Sequence, residues 1–383
     1  MHPAERVSSL PPYFFATLNK KIAALKASGA DVIRLDAGSP DMPPPAELVD
    51  VLKRSADDPG KHNYGGYAGQ PHLRRAIAGY YQRRFGVTLS DAELLPLIGS
   101  KEGLANMHLA WLNPGDISLV PDPGYPIYFY APILAGGRAE RFPLLPERGW
   151  LPNLADIPTD LARQARMLWL NYPNNPTGVV AGLDFFAEAV DFCRQFDILL
   201  CHDAPYVDIT YDGHTAPSVL QVPGAKEVAV EFNSLSKTYN MAGWRVGMAV
   251  GHAGAIEALA TVKTQIDSGI AKPIQDMAAA ALSGSQAWIA ERNEIYRQRR
   301  DMCLAALQEM GLQVDPPQGA FYIWFRTPAG MSSAEYQNHL LETAHVSLTP
   351  GHIYGPNGEG WVRLSLVAPT ERLQEALRRM GNV

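Results

Sequence analysis

EFNSLSKTYNMAGWRVG, residues 231–247, ends an apolar run on hydroxyls and a single ammonium. The run EVAVEF (227–232) has the length and composition of a buried strand. Ser234, Ser236 and Lys237 follow it, with Arg245 eight residues beyond the lysine. A strand surfacing into a polar loop, with Lys237 merely solvated, would account for this pattern. The alternative is a nucleophilic amine held at the rim of a sheet beside something anionic. What other strands deliver to the same rim separates the two.

Upstream and downstream, apolar runs of strand length alternate with amphipathic segments of helix length. LLPLI (94–98) precedes a helical stretch over 100–111, and DISLV (116–120), MLWLN (167–171), a helix over 183–196, DILLC (197–201) and WRVGMAV (244–250) complete the series. Near-continuous apolar strands between helices predict an α/β fold with a mostly parallel sheet covered on both faces. From residue 270 to about 310 the pattern predicts one long helix joining two regions. Beyond it AFYIWF, VSL and WVRLSLV, with helices near 333–344 and after Pro369, predict a smaller α+β unit. The proline-rich start (PPYFF, SPDMPPP) reads as an extended arm packed on that unit. The expected division is therefore an arm over 1–50, a large cofactor-binding domain over 51–280 and a small domain over 281–383.

The chain has 383 residues, 46% hydrophobic and 19% charged, enough for a large core and two domains. Its formal charge of −6, spread without single-sign runs, gives no electrostatic case for nucleic acid or a membrane surface. Small molecules or further copies of the chain are the expected partners. Cys193, Cys201 and Cys303 are an odd number in apolar settings, as for buried thiols in a reducing compartment. No secretory leader pattern or membrane-spanning run is present, so a cytoplasmic location is expected.

In open α/β sheets, ligands sit beyond the carboxyl ends of the strands. After LLPLI comes GSKEGLA, where Gly99 and Ser100 open a helix whose N-terminus suits an anion, or is simply capped. After MLWLN, NYPNNPTG must turn, and it places the amides of Asn171, Asn174 and Asn175 near the sheet edge. After DILLC comes HDAPY, where Asp203 needs a cation or donor to remain ionised in a cleft, or merely caps the next turn. His202 reads as a core-edge histidine, since nothing has metal-site spacing with it, and no metal is expected. The phosphate loop, dinucleotide fingerprint, GxSxG elbow and HExxH motifs are all missing. One ligand suits the set: an anionic group for the helix start, serines and Arg245, a basic ring nitrogen for Asp203, a phenolic oxygen for Asn175 and Tyr206, and an aldehyde for Lys237. Pyridoxal 5'-phosphate has all four.

GSKEGLA, DPGYPIY, NYPNNPTG, DAPY, SLSKTYNMAGWRVG and WVRLSL occur in the order and spacing of class I aminotransferases of the fold-type I pyridoxal phosphate superfamily, which the chain resembles along nearly its whole length. Within that family the N-terminal arm, VKTQIDSG and YGPNGEGWVRLSL are similar to LL-diaminopimelate aminotransferases and their close relatives. The resemblance implies that Lys237 bonds the cofactor aldehyde and that Asp203 holds the ring nitrogen protonated. Asn175 and Tyr206 would bind the phenolic oxygen, and Ser100, Lys101, Ser234, Ser236 and Arg245 the phosphate, with Lys101 also near the substrate. Tyr125 would stack on the ring. Tyr64 would reach the phosphate of the other subunit, which requires a homodimer.

Arg363 matches the family's arginine for the substrate α-carboxylate, with Tyr13 and Gly38 near the same group. Gln265 stands where relatives carry an asparagine that reaches across the dimer, a swap that bears on the choice of donor. The implied reaction is a ping-pong transamination from an amino acid, LL-diaminopimelate being one candidate, to an oxo acid such as 2-oxoglutarate. Aspartate, alanine, glutamine, methionine or aromatic donors remain open, as does a carbon–sulfur β-lyase on the same cofactor set. A regulator that keeps the fold to sense a ligand is the rival from another class.

Overall fold

The computed structural model describes Met1–Val383. Its N-terminal arm holds the helix Phe14–Ala27 and a short strand, β1 (Ile33–Arg34). Seven strands follow: β2 (Leu94–Leu97), β3 (Ile117–Asp122), β4 (Arg138–Pro143), β5 (Ala165–Asn171), β6 (Leu199–Asp203), β7 (Ala229–Ser234) and β8 (Gly247–Gly251). They form one sheet in the order β2-β8-β7-β6-β5-β3-β4. Only β8 runs antiparallel to its neighbours β2 and β7; the other pairings are parallel. This is the α/β sheet expected from the apolar runs. Every residue of β3, β6, β7 and β8 is buried, because helices cover both faces.

Alternation sends Met167 and Trp169 to one face, where they pack with Leu104 of the helix Ser100–Trp111 and Leu259 of the helix Ala253–Ile266. Leu168 and Leu170 go to the other, with Tyr81 of the helix Pro71–Phe85 and Phe186 of the helix Leu183–Phe196. The smaller unit adds β9 (Tyr322–Arg326), β10 (Val346–Ser347), β11 (Thr349–Pro350) and β12 (Trp361–Ser365). Strands β11, β12 and β9 form an antiparallel sheet, and β10 pairs in parallel with β1, so the arm is stitched to this unit.

The structure corrects two expectations. The long helix over 270–310 is two helices, Lys272–Ser283 and Ala287–Glu309, with Gly284 extended between them. The first packs on the helices Ala46–Ala56 and Pro71–Phe85, whereas the second sends Tyr296, Cys303 and Leu307 into the small core. Strand β4 was not expected at all. It lies at the sheet edge with Arg138 and Arg141 exposed, so it has no apolar run to reveal it.

Candidate active site

The carboxyl ends of β5, β6 and β7 open on a cavity of about 430 Å³ between the large sheet, the arm and the small unit. Strand β7 ends on Ser234, and the chain turns at once into a single helical turn, Leu235–Thr238. Ser234 Oγ accepts from the Ser236 N–H at 3.1 Å and so caps that turn. The turn carries Lys237 into the cavity, where Nζ donates to the Gly38 carbonyl.

Behind the turn, the buried guanidinium of Arg292 donates to the carbonyls of Lys237 (2.9 Å), Thr238 and Asp208 (3.0 Å). These include carbonyls that so short a helix leaves open. Burial, and then the positive charges of Arg363 and Arg245, pull the Lys237 amine down to about 8, against an opposing pull from Asp203.

Asp203, the last residue of β6, is 4% exposed. Tyr128 Oη donates to its Oδ2 at 2.6 Å, and Oδ1 has no partner. Tyr128 is held in turn by stacking on Trp169, which stacks on His108. Burial pushes the Asp203 carboxyl up to about 6, opposed by the Tyr128 hydrogen bond and the charges of His202 and Lys237. A buried carboxylate oxygen without a donor is costly, and a cationic ring N–H is the complement it lacks.

The NYPNNPTG turn sorts its amides. Asn171 Nδ2 donates to the Asp203 carbonyl at 2.7 Å, and its Oδ1 accepts from the Asn175 N–H at 2.9 Å. Asn174 Oδ1 accepts from the Thr177 N–H at 3.0 Å. With those two spent on the backbone, Asn175 is left to line the cavity, where its Oδ1 accepts from Arg363 Nη1 at 2.9 Å. Arg363, on β12, is 3% exposed and lies 4.0 Å over the Tyr322 ring. Its Nη2 donates to the Asp36 carbonyl (2.9 Å) and Thr349 Oγ1 (3.3 Å), while Nε has no partner. A guanidinium so held, with one buried N–H unmatched, is ready for a carboxylate.

At the other end of the cavity, Gly99 (φ +76°) starts the helix Ser100–Trp111, and a Cβ there would run into the Arg245 guanidinium. The helix N-terminus, Ser100, Ser234, Ser236 and Arg245 thus line one cavity, a donor set suited to a phosphate.

The family model for aminotransferases of class I and II matches residues 30–380. The chain belongs to that family. This aminotransferase is 48% identical over 384 aligned residues to the LL-diaminopimelate aminotransferase of Moorella thermoacetica, covering 100% of this chain and 98% of the relative. Substrate-bound BacF from Bacillus subtilis superposes with a TM-score of 0.97 at 36% identity, covering 100% of this chain and 98% of that one. A probable N-succinyldiaminopimelate aminotransferase from Thermus thermophilus gives a TM-score of 0.90 at 38% identity over 96% of this chain and 99% of that one. The enzyme is pyridoxal phosphate-dependent, as its family is. The unmatched Oδ1 of Asp203 and the phosphate-suited cluster fit that cofactor.

Every residue expected at the site lines the cavity of the aminotransferase except Tyr64 and Gln265. Tyr64 is 83% exposed, and Gln265 is exposed near the end of the helix Ala253–Ile266. Tyr125 and Tyr13 sit on either side of Lys101, whose Nζ is 5.6 Å and 5.4 Å from their rings.

The structure adds residues not singled out from the sequence. Tyr322 on β9 lies under Arg363, and its Oη is 2.9 Å from Tyr206 Oη. A Cβ on Gly38 would come 2.9 Å from the same hydroxyl, so that position has room only for glycine. Asp36, fully buried, pairs with Arg34 at the cavity wall. Alternation along AFYIWF is the one signal that could have turned Tyr322 toward the site.

Proposed function

We propose that the enzyme moves the amino group of LL-diaminopimelate to an oxo acid such as 2-oxoglutarate in two half-reactions. The observation that carries the donor is the set of full-length relatives at 45–48% identity, each named for LL-diaminopimelate. When bound, the cofactor draws electrons from the substrate carbon that bears the amine. Lys237 would hold the cofactor at its aldehyde, and its amine is the group placed to take the substrate's Cα proton and return it. An amine held near 8 by burial and flanking arginines is neutral often enough to serve as that base. Asp203 Oδ1 would keep the ring nitrogen protonated, Asn175 and Tyr206 would take the phenolic oxygen, and Tyr125 would lie against the ring.

Ser100, Lys101, Ser234, Ser236 and Arg245 hold the phosphate. Arg363 clasps the α-carboxylate, with Tyr13, Gly38 and Lys101 beside it, and so fixes which bond at Cα stands across the ring.

A homodimer completes this reading, with Tyr64 and Gln265 serving the neighbouring site. Its support is the surface around them. The loop carrying Tyr64 and Tyr67 packs against Gly269 and Ile270, beside Ile266, and leaves Tyr64, Tyr67 and Ile266 exposed in one chain. The three unpaired, buried thiols support a reducing, cytoplasmic setting, and no helix is long and apolar enough to cross a membrane. Ile33 and Leu35 of the arm share a core with most of the buried residues beyond Tyr296, which supports an arm packed on a small unit apart from the large sheet.

The test is a panel of donors against 2-oxoglutarate: LL-diaminopimelate, aspartate, alanine, glutamine, methionine and phenylalanine. Glutamate formation fastest with LL-diaminopimelate is expected. Faster turnover of another donor overturns the substrate, and release of pyruvate and ammonia from cystathionine without amino transfer overturns the reaction in favour of a β-lyase.

A further inference from the structure

Strand β9 runs antiparallel to β12, and its register sets Trp324 opposite Arg363 and Tyr322 opposite Ser365. Tyr322 is therefore a diagonal neighbour of Arg363, within reach of an aromatic side chain. The guanidinium carbon of Arg363 stands 4.0 Å from the centre of the Tyr322 ring, while the Tyr322 hydroxyl lies 2.9 Å from Tyr206 Oη. Both tyrosines are buried, and both line the cavity. One side chain thus touches the arginine meant for the substrate carboxylate and the tyrosine meant for the cofactor's phenolic oxygen.

A phenol has a single proton to give, so a bond between two of them runs one way at a time. Neither hydroxyl has another hydrogen-bond partner in the chain. If Tyr206 donated to Tyr322, its proton would be spent, and the phenolic oxygen would meet only lone pairs. If Tyr322 donates, Tyr206 keeps its proton for the cavity. Only the second direction lets Tyr206 serve the cofactor. Gly38 leaves the space for it, since a Cβ there would come 2.9 Å from the Tyr322 hydroxyl.

The ring face does separate work. Asn175 Oδ1 accepts from Nη1 of Arg363 at 2.9 Å, and the Asp36 carbonyl and Thr349 Oγ1 accept from Nη2 at 2.9 and 3.3 Å. These bonds hold the edges of the guanidinium, and a ring beneath it fixes its tilt. Tyr322 is the nearer of two such rings, with Tyr354 at 5.4 Å. A flat cation over a buried aromatic face is also held by attraction to the ring itself.

We propose that Tyr322 is a positioning residue with two separable contacts: its hydroxyl donates to Tyr206 and so frees the Tyr206 proton for the phenolic oxygen, and its face sets the plane in which Arg363 meets the α-carboxylate. The inference rests on the cofactor and substrate reading of Tyr206 and Arg363.

The test splits the contacts. Tyr322→Phe keeps the ring and removes the hydroxyl, whereas Tyr322→Leu removes both. In the holoenzyme the visible absorbance of the bound cofactor changes with pH as its linkage to lysine loses a proton, and a hydrogen bond donated to the neighbouring phenolic oxygen eases that loss. The midpoint of the change should therefore rise in Tyr322→Phe by about half to one pH unit, the weight of one hydrogen bond. In the same variant kcat should fall about three- to tenfold, with KM within about twofold of wild type for every donor. Tyr322→Leu should show the same midpoint and in addition raise KM about tenfold. An unmoved midpoint in Tyr322→Phe, or a KM that rises as much in Tyr322→Phe as in Tyr322→Leu, overturns the role. Tyr322→Phe leaves the packing intact, so it decides the proposal even where Tyr322→Leu fails to fold. Failure of the wild-type chain to bind pyridoxal phosphate would sink the cofactor reading itself; an intact wild-type band with an unmoved midpoint in Tyr322→Phe overturns Tyr322 alone.

Discussion

At the inner wall of the cavity, Asp203, Asn175 and Arg363 are almost wholly buried and are fixed by hydrogen bonds to Tyr128, the NYPNNPTG turn, Asp36 and Thr349. At the rim, Tyr13 and Lys101 are exposed, and the Lys101 ammonium lies over the faces of Tyr13 and Tyr125. The wall holds charges whose position cannot drift; the rim holds groups that can shift at little cost. That contrast suits a reaction in which every substrate presents the same amine and carboxylate inside and differs only at its far end.

Changes at the wall should therefore hurt every donor alike. Lys237→Ala is the most severe: turnover should fall by at least about 10²–10⁴-fold and the visible absorbance of bound cofactor should vanish, and full activity would end the assignment. The same lysine carries a pH prediction. In cofactor-free protein its amine should react with an aldehyde probe half-maximally near pH 8, faster above and slower below, because deprotonation makes the nucleophile. Asp203→Asn keeps the shape and removes the charge, and kcat should drop by roughly 10²–10³-fold, as when one preorganised electrostatic group is lost.

Arg363→Lys exchanges a planar fork for a point charge. A charge-assisted hydrogen bond of about 1.5–3 kcal/mol is at stake, so KM should rise on the order of 10- to 100-fold for all donors. A rise confined to one donor would move Arg363 from the wall to the rim. The smallest effect is expected at Tyr64→Phe. Loss of one hydroxyl, about 0.5–1.5 kcal/mol, should loosen the cofactor by no more than about tenfold. Mixing this variant with Lys237→Ala should rescue nothing if Tyr64 serves its own chain, and should alter the neighbour's site if it serves the other.

Much of the wall could be read in advance because its residues stand where an apolar run stops. Ser234, Asp203 and Asn171 end strands, and each is followed within a few residues by a group that lines the cavity. Tyr322, Tyr128 and Asp36 escaped notice for the converse reason. A tyrosine inside AFYIWF or just past DPGYP looks like core; only the fold shows that the Tyr128 hydroxyl meets Asp203, 75 residues on, and that the Tyr322 hydroxyl meets Tyr206, 116 residues back. Edge strand β4 was missed because one face is wet and its charged residues mask the period. The break at Gly284 fell inside a region helical on both sides, where a lone glycine is a weak stop signal.

Arg292 belongs to the helix that runs from the large sheet into the small core, yet it grips the carbonyls of Lys237 and Thr238. The first turns of that helix are thereby anchored to the same piece of backbone that carries the nucleophile. If the small core swings, the fulcrum stays with Lys237 and the moving arm carries Arg363. Such a swing would set the span between amine and guanidinium, so closing would bring the groups that meet every donor's Cα and α-carboxylate into register without reading its far end.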